Sequence, residues 1–256
     1  MSHDHIGIPR FIQEGFATSG IVASYDTALD IIRTSPISKL GTSVDYYDED
    51  VEKDLLANKV EGEFSKLYHD ITSTKDLGLI EKTIIGNKTL IAQFFSFMYM
   101  RAKKMVDTVN QNSLSSKIFG NVDHSELLRI QANIFVDPLK MIGEEYFILP
   151  VLNFSRTRFI NNSLGIGALI TNTKTILFYV PLNDRLGLIF CDKDYCGDSQ
   201  FFYIWQDGEA TAKRLNNSIV QFEYEYGNGF LFGMNKSDLK DSIDYFRSMK
   251  EPATEQ

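Results

Sequence analysis

The spacing of hydrophobic residues changes part-way along this 256-residue chain. In the front half they recur every third or fourth residue; further on they come in short, nearly continuous runs. Leu56, Val60, Phe64, Leu67 and Ile71 keep intervals of three and four, which predicts a helix over residues 48–71 with one buried face. Asp48 suits its N-cap, and Glu49, Asp50 and Glu52 place negative charge where the helix dipole favours it. Residues 89–109 predict a second helix, with Phe94, Met98, Arg101 and Met105 on one face and its first half apolar on almost every side. A third starts at Asp123, has Glu126 as capping-box partner, carries Leu127, Leu128, Ile130, Ile134 and Phe135, and stops before Asp137-Pro138. Ahead of these, Pro9 and Gly15 bracket a short helix, and residues 21–25 read as a strand.

From Glu145 to Cys191 the pattern belongs to strands, over residues 146–154, 167–171, 175–182 and 186–191. Pro181 marks a strand end, and Asn183-Asp184-Arg185 is a turn that joins the last two runs as a hairpin. A strand at 201–205, a helix at 209–226, a strand at 229–232 and a closing helix with Leu239, Ile243, Phe246 and Met249 on one face follow. The expected fold is therefore α+β. A helix-rich N-terminal half precedes a mainly antiparallel sheet in the C-terminal half, all in one domain over residues 1–256 with 251–256 as a flexible tail.

Composition narrows the function classes. Net charge is −8 and the pI near 5.1, which disfavours broad contact with phosphate backbones. Nucleic acid is expected only through a local patch, with Arg101, Lys103 and Lys104 as the candidates. The two cysteines, Cys191 and Cys196, are too few for a disulfide framework and lack zinc-site spacing, so they are expected as thiols in a reducing compartment. The amino terminus has no apolar run of the signal-peptide kind. The longest apolar stretch, residues 90–100, is interrupted by Gln93 and Ser96 and falls short of the ~20 residues that cross a bilayer. A soluble, cytoplasmic protein without a membrane partner is expected.

Several short pieces, in order, resemble the bacterial DUF4238 family. His5…Ile8-Pro9-Arg10-Phe11…Phe16 looks like that family's opening His–Pro–aromatic motif, with one extra residue between His and Pro. Tyr47…Glu52…Glu61 is similar to its tyrosine followed by two spaced glutamates, and Arg101 matches the arginine that closes its apolar helix. Residues 159–165, Phe-Ile-Asn-Asn-Ser-Leu-Gly, sit where the family has a Phe-Ile-Thr-Ser-Asp-Asn-Pro-like run. Val180-Pro181-Leu182-Asn183 resembles its Pro-Leu-Ser-Pro strand end, and Leu215-Asn216 its late helix start. The resemblance spans residues 4–233. It implies positions rather than an activity, along with a weak association with phage and mobile-element conflict. Ser163 and Gly165 depart from the family's acid and proline, which puts in doubt any function that needs that carboxylate.

Candidate chemistry centres on His5, Glu61 and Arg101. A histidine titrates in the range of a general acid/base, although one near an amino terminus also serves as a local cap. Arg101, on an apolar helix face, needs a partner or a polar cleft. Glu61 offers that partner as a structural ion pair; alternatively, Arg101 clamps a phosphate or carboxylate. Asn161, Asn162, Ser163 and Asn216 are polar residues at element ends, where ligand sites and plain turn chemistry both occur. No metal site and no cofactor are expected: Gly165-Ile166-Gly167 lacks the third glycine of a dinucleotide loop, and there is no Walker A sequence. The aromatic clusters Phe201/Phe202/Tyr203 and Tyr224/Tyr226 are expected in the core. Two functions remain: a ligand-binding or regulatory module for a small molecule or protein, and an enzyme of the nuclease or nucleotide-hydrolase kind that uses His5, Glu61 and Arg101.

Overall fold

The computed structural model describes residues 3–5, 7–44, 47–112, 120–134, 146–170, 176–192 and 201–250. The chain begins with strand β1 (His3–His5), helix α1 (Arg10–Glu14), strands β2 (Ile21–Asp26) and β3 (Ile31–Pro36), a short 3-10 turn (Ile37–Lys39) and strand β4 (Thr42–Val44). A π-helical stretch (Val51–Glu61) leads into helices α2 (Gly62–Ser73), α3 (Leu77–Gly86), α4 (Lys88–Met100), α5 (Lys103–Gln111) and α6 (His124–Ile134). Strands β5 (Tyr146–Asn153), β6 (Ile160–Asn162), β7 (Gly167–Ile170), β8 (Ile176–Pro181), β9 (Leu186–Asp192) and β10 (Phe202–Ile204) come next. Helix α7 (Glu209–Tyr226), strand β11 (Phe230–Gly233) and helix α8 (Lys236–Lys250) complete the described chain. The fold is mixed α+β.

Two larger sheets organise it. One has five strands in the order β10-β5-β9-β8-β7, antiparallel except where β10 runs parallel to β5. The β8–β9 hairpin forms as the turn residues predict: Asn183 Oδ1 accepts from the amides of Arg185 and Leu186, and Pro181 faces Gly187 at the end of the ladder. The other sheet is antiparallel, β3-β2-β11-β6, and joins front-half strands to back-half strands. β1 and β4 form a separate two-stranded ladder. One cluster of buried apolar side chains reaches from Ile8 to Phe246. Its front end is aromatic: the rings of Phe64 and Phe94 stack at 3.8 Å, with Phe95 and Phe11 tilted against them.

The structure departs from the sequence pattern in four places. The helix expected over 48–71 is buried along its predicted stripe, but its first part takes the wider i→i+5 hydrogen bonding of a π-helix before becoming α-helical at Gly62. A side chain at Gly62 would sit 2.7 Å from the Ala57 carbonyl oxygen, so the junction needs glycine. The single helix expected over 89–109 breaks at Arg101 and Ala102, where ψ runs from −5° to 129°. Helix α3 and strand β3 were not expected: α3 does set Leu77, Ile80 and Ile84 at helical spacing, whereas β3 has no apolar period of its own. Asp76 caps α3 through the Leu79 amide, and β3 forms by pairing along the whole of β2. Finally, Cys191 is buried and disulfide-bonded, which overturns the expectation of two reduced thiols; Cys196 lies outside the described residues, as do Phe135 and residues 171–175. A disulfide-bonded Cys191 lends no support to a reducing compartment. Among the described residues no helix is long and apolar enough to cross a membrane.

The stacked rings give a direct test of the core. Phe64→Ala removes a ring in face contact with Phe94 and is expected to cost about 3–5 kcal/mol. Equilibrium urea denaturation measures this, and a loss below about 1 kcal/mol would mean that the site collapses around the gap.

Candidate functional site

Helix α4 buries Ile91, Phe94, Phe95, Phe97 and Met98, so the residue that ends it emerges deep inside the protein. That residue is Arg101, only 1% exposed. Its Nη2 donates to Glu61 Oε1 at 2.5 Å and its Nη1 to the Gly7 carbonyl at 2.8 Å. The guanidinium carbon also lies 5.7 Å from the centre of the Tyr47 ring. Burial works against the charge, yet Glu61, Tyr47 and Glu52 outweigh it, and the net effect holds Arg101 protonated. Its Nε is buried with no acceptor among the described residues. Glu61 is 22% exposed, so water reaches the pair from the carboxylate side.

From Arg101 the polar contacts continue inward. Gly7, whose carbonyl Arg101 holds, packs so closely on Ser163 that a Cβ would lie 2.5 Å from the Ser163 carbonyl oxygen. The neighbouring Ile8 amide donates to that same oxygen at 2.7 Å. Ser163 in turn gives its amide (3.0 Å) and hydroxyl (2.7 Å) to Glu223 Oε2. Glu223 Oε1 accepts from the amides of Gly229 (2.6 Å) and Phe230 (2.9 Å), and the Ser163 hydroxyl accepts from the Asn228 amide at 2.7 Å. The carboxylate is thereby clamped over the turn between α7 and β11. Burial pushes the Glu223 carboxyl up to about 7, against the Ser163, Gly229 and Phe230 donors that pull it down.

The remaining candidates are fully buried and bonded mainly to backbone. Asn161 donates to the Pro181 carbonyl and accepts from the Asn162 amide. Asn162 donates to the carbonyls of Ile166 and Ile219 and accepts from the amides of Leu164 and Ile166. Asn216 donates to the Arg158 carbonyl and to Ser242, and accepts from the Ile160 amide. A ligand reaching any of them would have to displace a protein–protein hydrogen bond.

The structure thus brings Glu61 and Arg101 into contact and links them through Gly7 and Ile8 to Ser163. Asn161 and Asn162 adjoin Ser163 along β6, and Asn216 fastens α7 to the residues leading into that strand. His5 pairs by backbone with Thr42, two residues before Gly7; its side chain lies outside the described residues. Arg101 is too buried to belong to a surface basic patch. Lys104 is exposed, and the Lys103 side chain lies outside the described residues. Glu223 is the functional-type group that sequence reasoning missed. The signal was present: it sits on the α7 face that buries Leu215, Ile219, Val220 and Phe222, a charge on an apolar stripe like Arg101.

Elsewhere, a surface cleft of about 410 Å³ is lined by Phe11, Glu14, Tyr68, His69, Asn183 and Asp184, among others. None of the predicted site residues lines it. Its charged and phenolic groups have protein partners: Glu14 pairs with Arg10, Asp184 with Arg158, and Tyr68 donates to the Leu182 carbonyl.

The pieces gathered around Arg101 and Ser163 are those of an ordered motif, and a family model described as "Protein of unknown function (DUF4238)" matches residues 5–193. The chain belongs to the DUF4238 family. Neither a curated protein nor a solved structure matches it. The matched stretch covers the opening motif, the two glutamates, Arg101 and the 159–165 run, but ends before Asn216 and Glu223. Ser163 is the residue that the resemblance set against an acid of the family pattern. A carboxylate is nonetheless present there, supplied by Glu223 from α7 at 2.7 Å from the Ser163 hydroxyl.

Glu223 makes a prediction about pH. Its folded pKa lies above the ordinary carboxyl value, so the folded state holds the proton more tightly than the unfolded chain. Its contribution to stability is therefore complete below about pH 4.5 and is lost as pH rises through about 7. The loss is on the order of 3 kcal/mol. Urea unfolding of the wild type and Glu223→Gln across pH 4.5–8 should show a falling component that the variant lacks; parallel profiles would refute it.

Proposed function

We propose that this DUF4238 protein is a noncatalytic binding module whose polar motif residues build its frame rather than a reaction centre. One observation carries the reading: Arg101 is 1% exposed, and both of its terminal nitrogens donate to protein acceptors, Glu61 and the Gly7 carbonyl. The N–H groups left over are buried with it, whereas an anion clamp needs them to face a ligand. Asn162 and Asn216 give both amide N–H groups to protein acceptors, and Asn161, which gives one, is fully buried, so none of the three faces a ligand. Binding then falls to an exposed surface away from this network, with a single domain in a soluble protein as the frame that presents it.

A second reading keeps one specific observation on its side. The Arg101 Nε, without an acceptor among the described residues and beside a carboxylate that water reaches, would suit an enzyme that positions a substrate with Arg101 and moves a proton with Glu61 or His5.

Removing the pair separates the two readings. In the frame reading Arg101→Ala strands the Glu61 carboxylate and the Gly7 carbonyl, and should cost about 3–5 kcal/mol of unfolding free energy. Arg101→Met combined with Glu61→Gln should recover much of that loss. An Arg101→Ala protein of unchanged stability would reject the frame reading and favour the enzyme.

A further inference from the structure

Strand β10 ends the five-stranded sheet, and its alternation runs against expectation. Ile204 points into the core, whereas Tyr203 is 37% exposed and Trp205 62% exposed. Of the cluster at residues 201–203, expected in the core, Phe201 packs against it but Phe202 and Tyr203 are exposed. Phe201, Tyr203 and Trp205 project from one side of the strand and form a row. Their ring centres lie 5.9 Å and 5.5 Å apart, and the planes of Tyr203 and Trp205 differ by only 14°. Phe154, 51% exposed, extends the row at 5.7 Å and 19° from Trp205. It is held there because its amide donates to the Ile204 carbonyl at 2.8 Å. Four aromatic rings thus line one edge of the molecule, three of them open to water.

Burying these rings would be the ordinary way to use them; leaving three in water costs apolar contact that a neighbour is expected to repay. The charges beside the row indicate what the neighbour is. Arg156, two residues from Phe154, is exposed and has no partner among the described residues. Arg185 holds its guanidinium against the carbonyls of Asn153 and Ser155, directly flanking Phe154, with Asp184 as its nearest carboxylate at 3.7 Å. Asp207 and Glu209 follow Trp205 at the other end. Flat apolar faces with cations at one end of the row match a ligand that combines planar rings with phosphate. A neutral sugar would leave Arg156 without a use, and a duplex would hide its base faces.

We propose that the row Tyr203–Trp205–Phe154 binds an unpaired nucleic acid strand, stacking bases on the rings and setting phosphates against Arg156 and Arg185. This rests on the binding-module reading and names its ligand. The acidic remainder of the chain keeps the interaction local. With two phosphate contacts, the logarithm of affinity should fall with the logarithm of salt with a slope of only about −1.4.

Trp205, the chain's one tryptophan, reports on the site directly. The experiment adds a labelled oligodeoxythymidine of about 12 nucleotides to the full chain, following both Trp205 emission and label anisotropy. Expected are quenching of Trp205, far weaker binding of the matching duplex, and roughly tenfold or greater loss of affinity in Trp205→Ala and in Phe154→Ala. Arg156→Glu should also weaken binding and flatten the salt slope, with circular dichroism confirming that each variant folds. Binding of single strand and duplex alike, affinity unchanged in both ring variants, or no binding at all overturns the proposal. So does concentration-dependent self-association that Trp205→Ala abolishes, because the row would then contact a second copy. Gel analysis of the recovered oligonucleotide separates the two levels. Cleavage lost in Glu61→Gln would defeat the noncatalytic reading while leaving the ring row as the binding surface.

Discussion

A guanidinium inside a protein cannot shed its charge, so whatever surrounds Arg101 has to answer it. This requirement orders much of the front half. Helix α4 stops at Arg101, whose side chain reaches inward to its acceptors, and α5 starts afresh two residues later. The π-helical stretch ends on the residue whose carboxylate takes Nη2. The amino-terminal segment is held in place by the carbonyl that takes Nη1, and it approaches Ser163 so closely that Gly7 has no room for a side chain. Three stretches far apart in sequence thus meet at one charge.

How much of this could be read from sequence depended on whether the signal was local. The stripe from Leu56 to Ile71, the Asp123 cap and the Asn183 turn each depend on neighbours within a few residues, and each forms as their patterns indicate. Strand β3 exists because β2 pairs with it along its whole length, and its own residues are mostly exposed; no period of its own marks it. The contact of Arg101 with Glu61 followed from the cost of a lone buried charge, a rule that needs no coordinates. The Gly7 carbonyl did not follow, since any backbone carbonyl in the chain could have served. Phe202 and Tyr203 misled for a similar reason: aromatic composition signals a strand, but not which of its faces meets water.

The asparagines of β6 show why a run of polar residues need not be a ligand site. Strand β6 is only three residues long, and the chain around it carries amides and carbonyls that a longer ladder would have paired. Asn161 and Asn162 supply the missing partners from their own side chains, reaching Pro181, Ile166 and Ile219 in neighbouring elements. An unpaired buried backbone group costs about as much as a lost hydrogen bond, so such residues matter to the fold even without a ligand. Their place in the family motif is therefore compatible with a role in architecture alone.

The two buried charges at either end of this network are stabilised by different means, and that difference decides where the fold can respond to its surroundings. Arg101 faces an opposite charge and keeps its proton throughout the accessible range. Among the described residues no cation pairs with Glu223; it relies on the amides of Ser163, Gly229 and Phe230 and on the Ser163 hydroxyl. Hydrogen bonds from neutral groups favour the ionised form less than a salt bridge would, and burial raises the carboxyl to about 7. Protonating it would put a hydrogen on an oxygen whose neighbours are already donors, so one of those contacts must give. Of the groups concerned, the Ser163 hydroxyl is the one that can rotate to accept, whereas the amides are fixed in the backbone. A change of charge at Glu223 is thus passed first to Ser163, whose carbonyl holds the Ile8 amide next to Gly7 and Arg101.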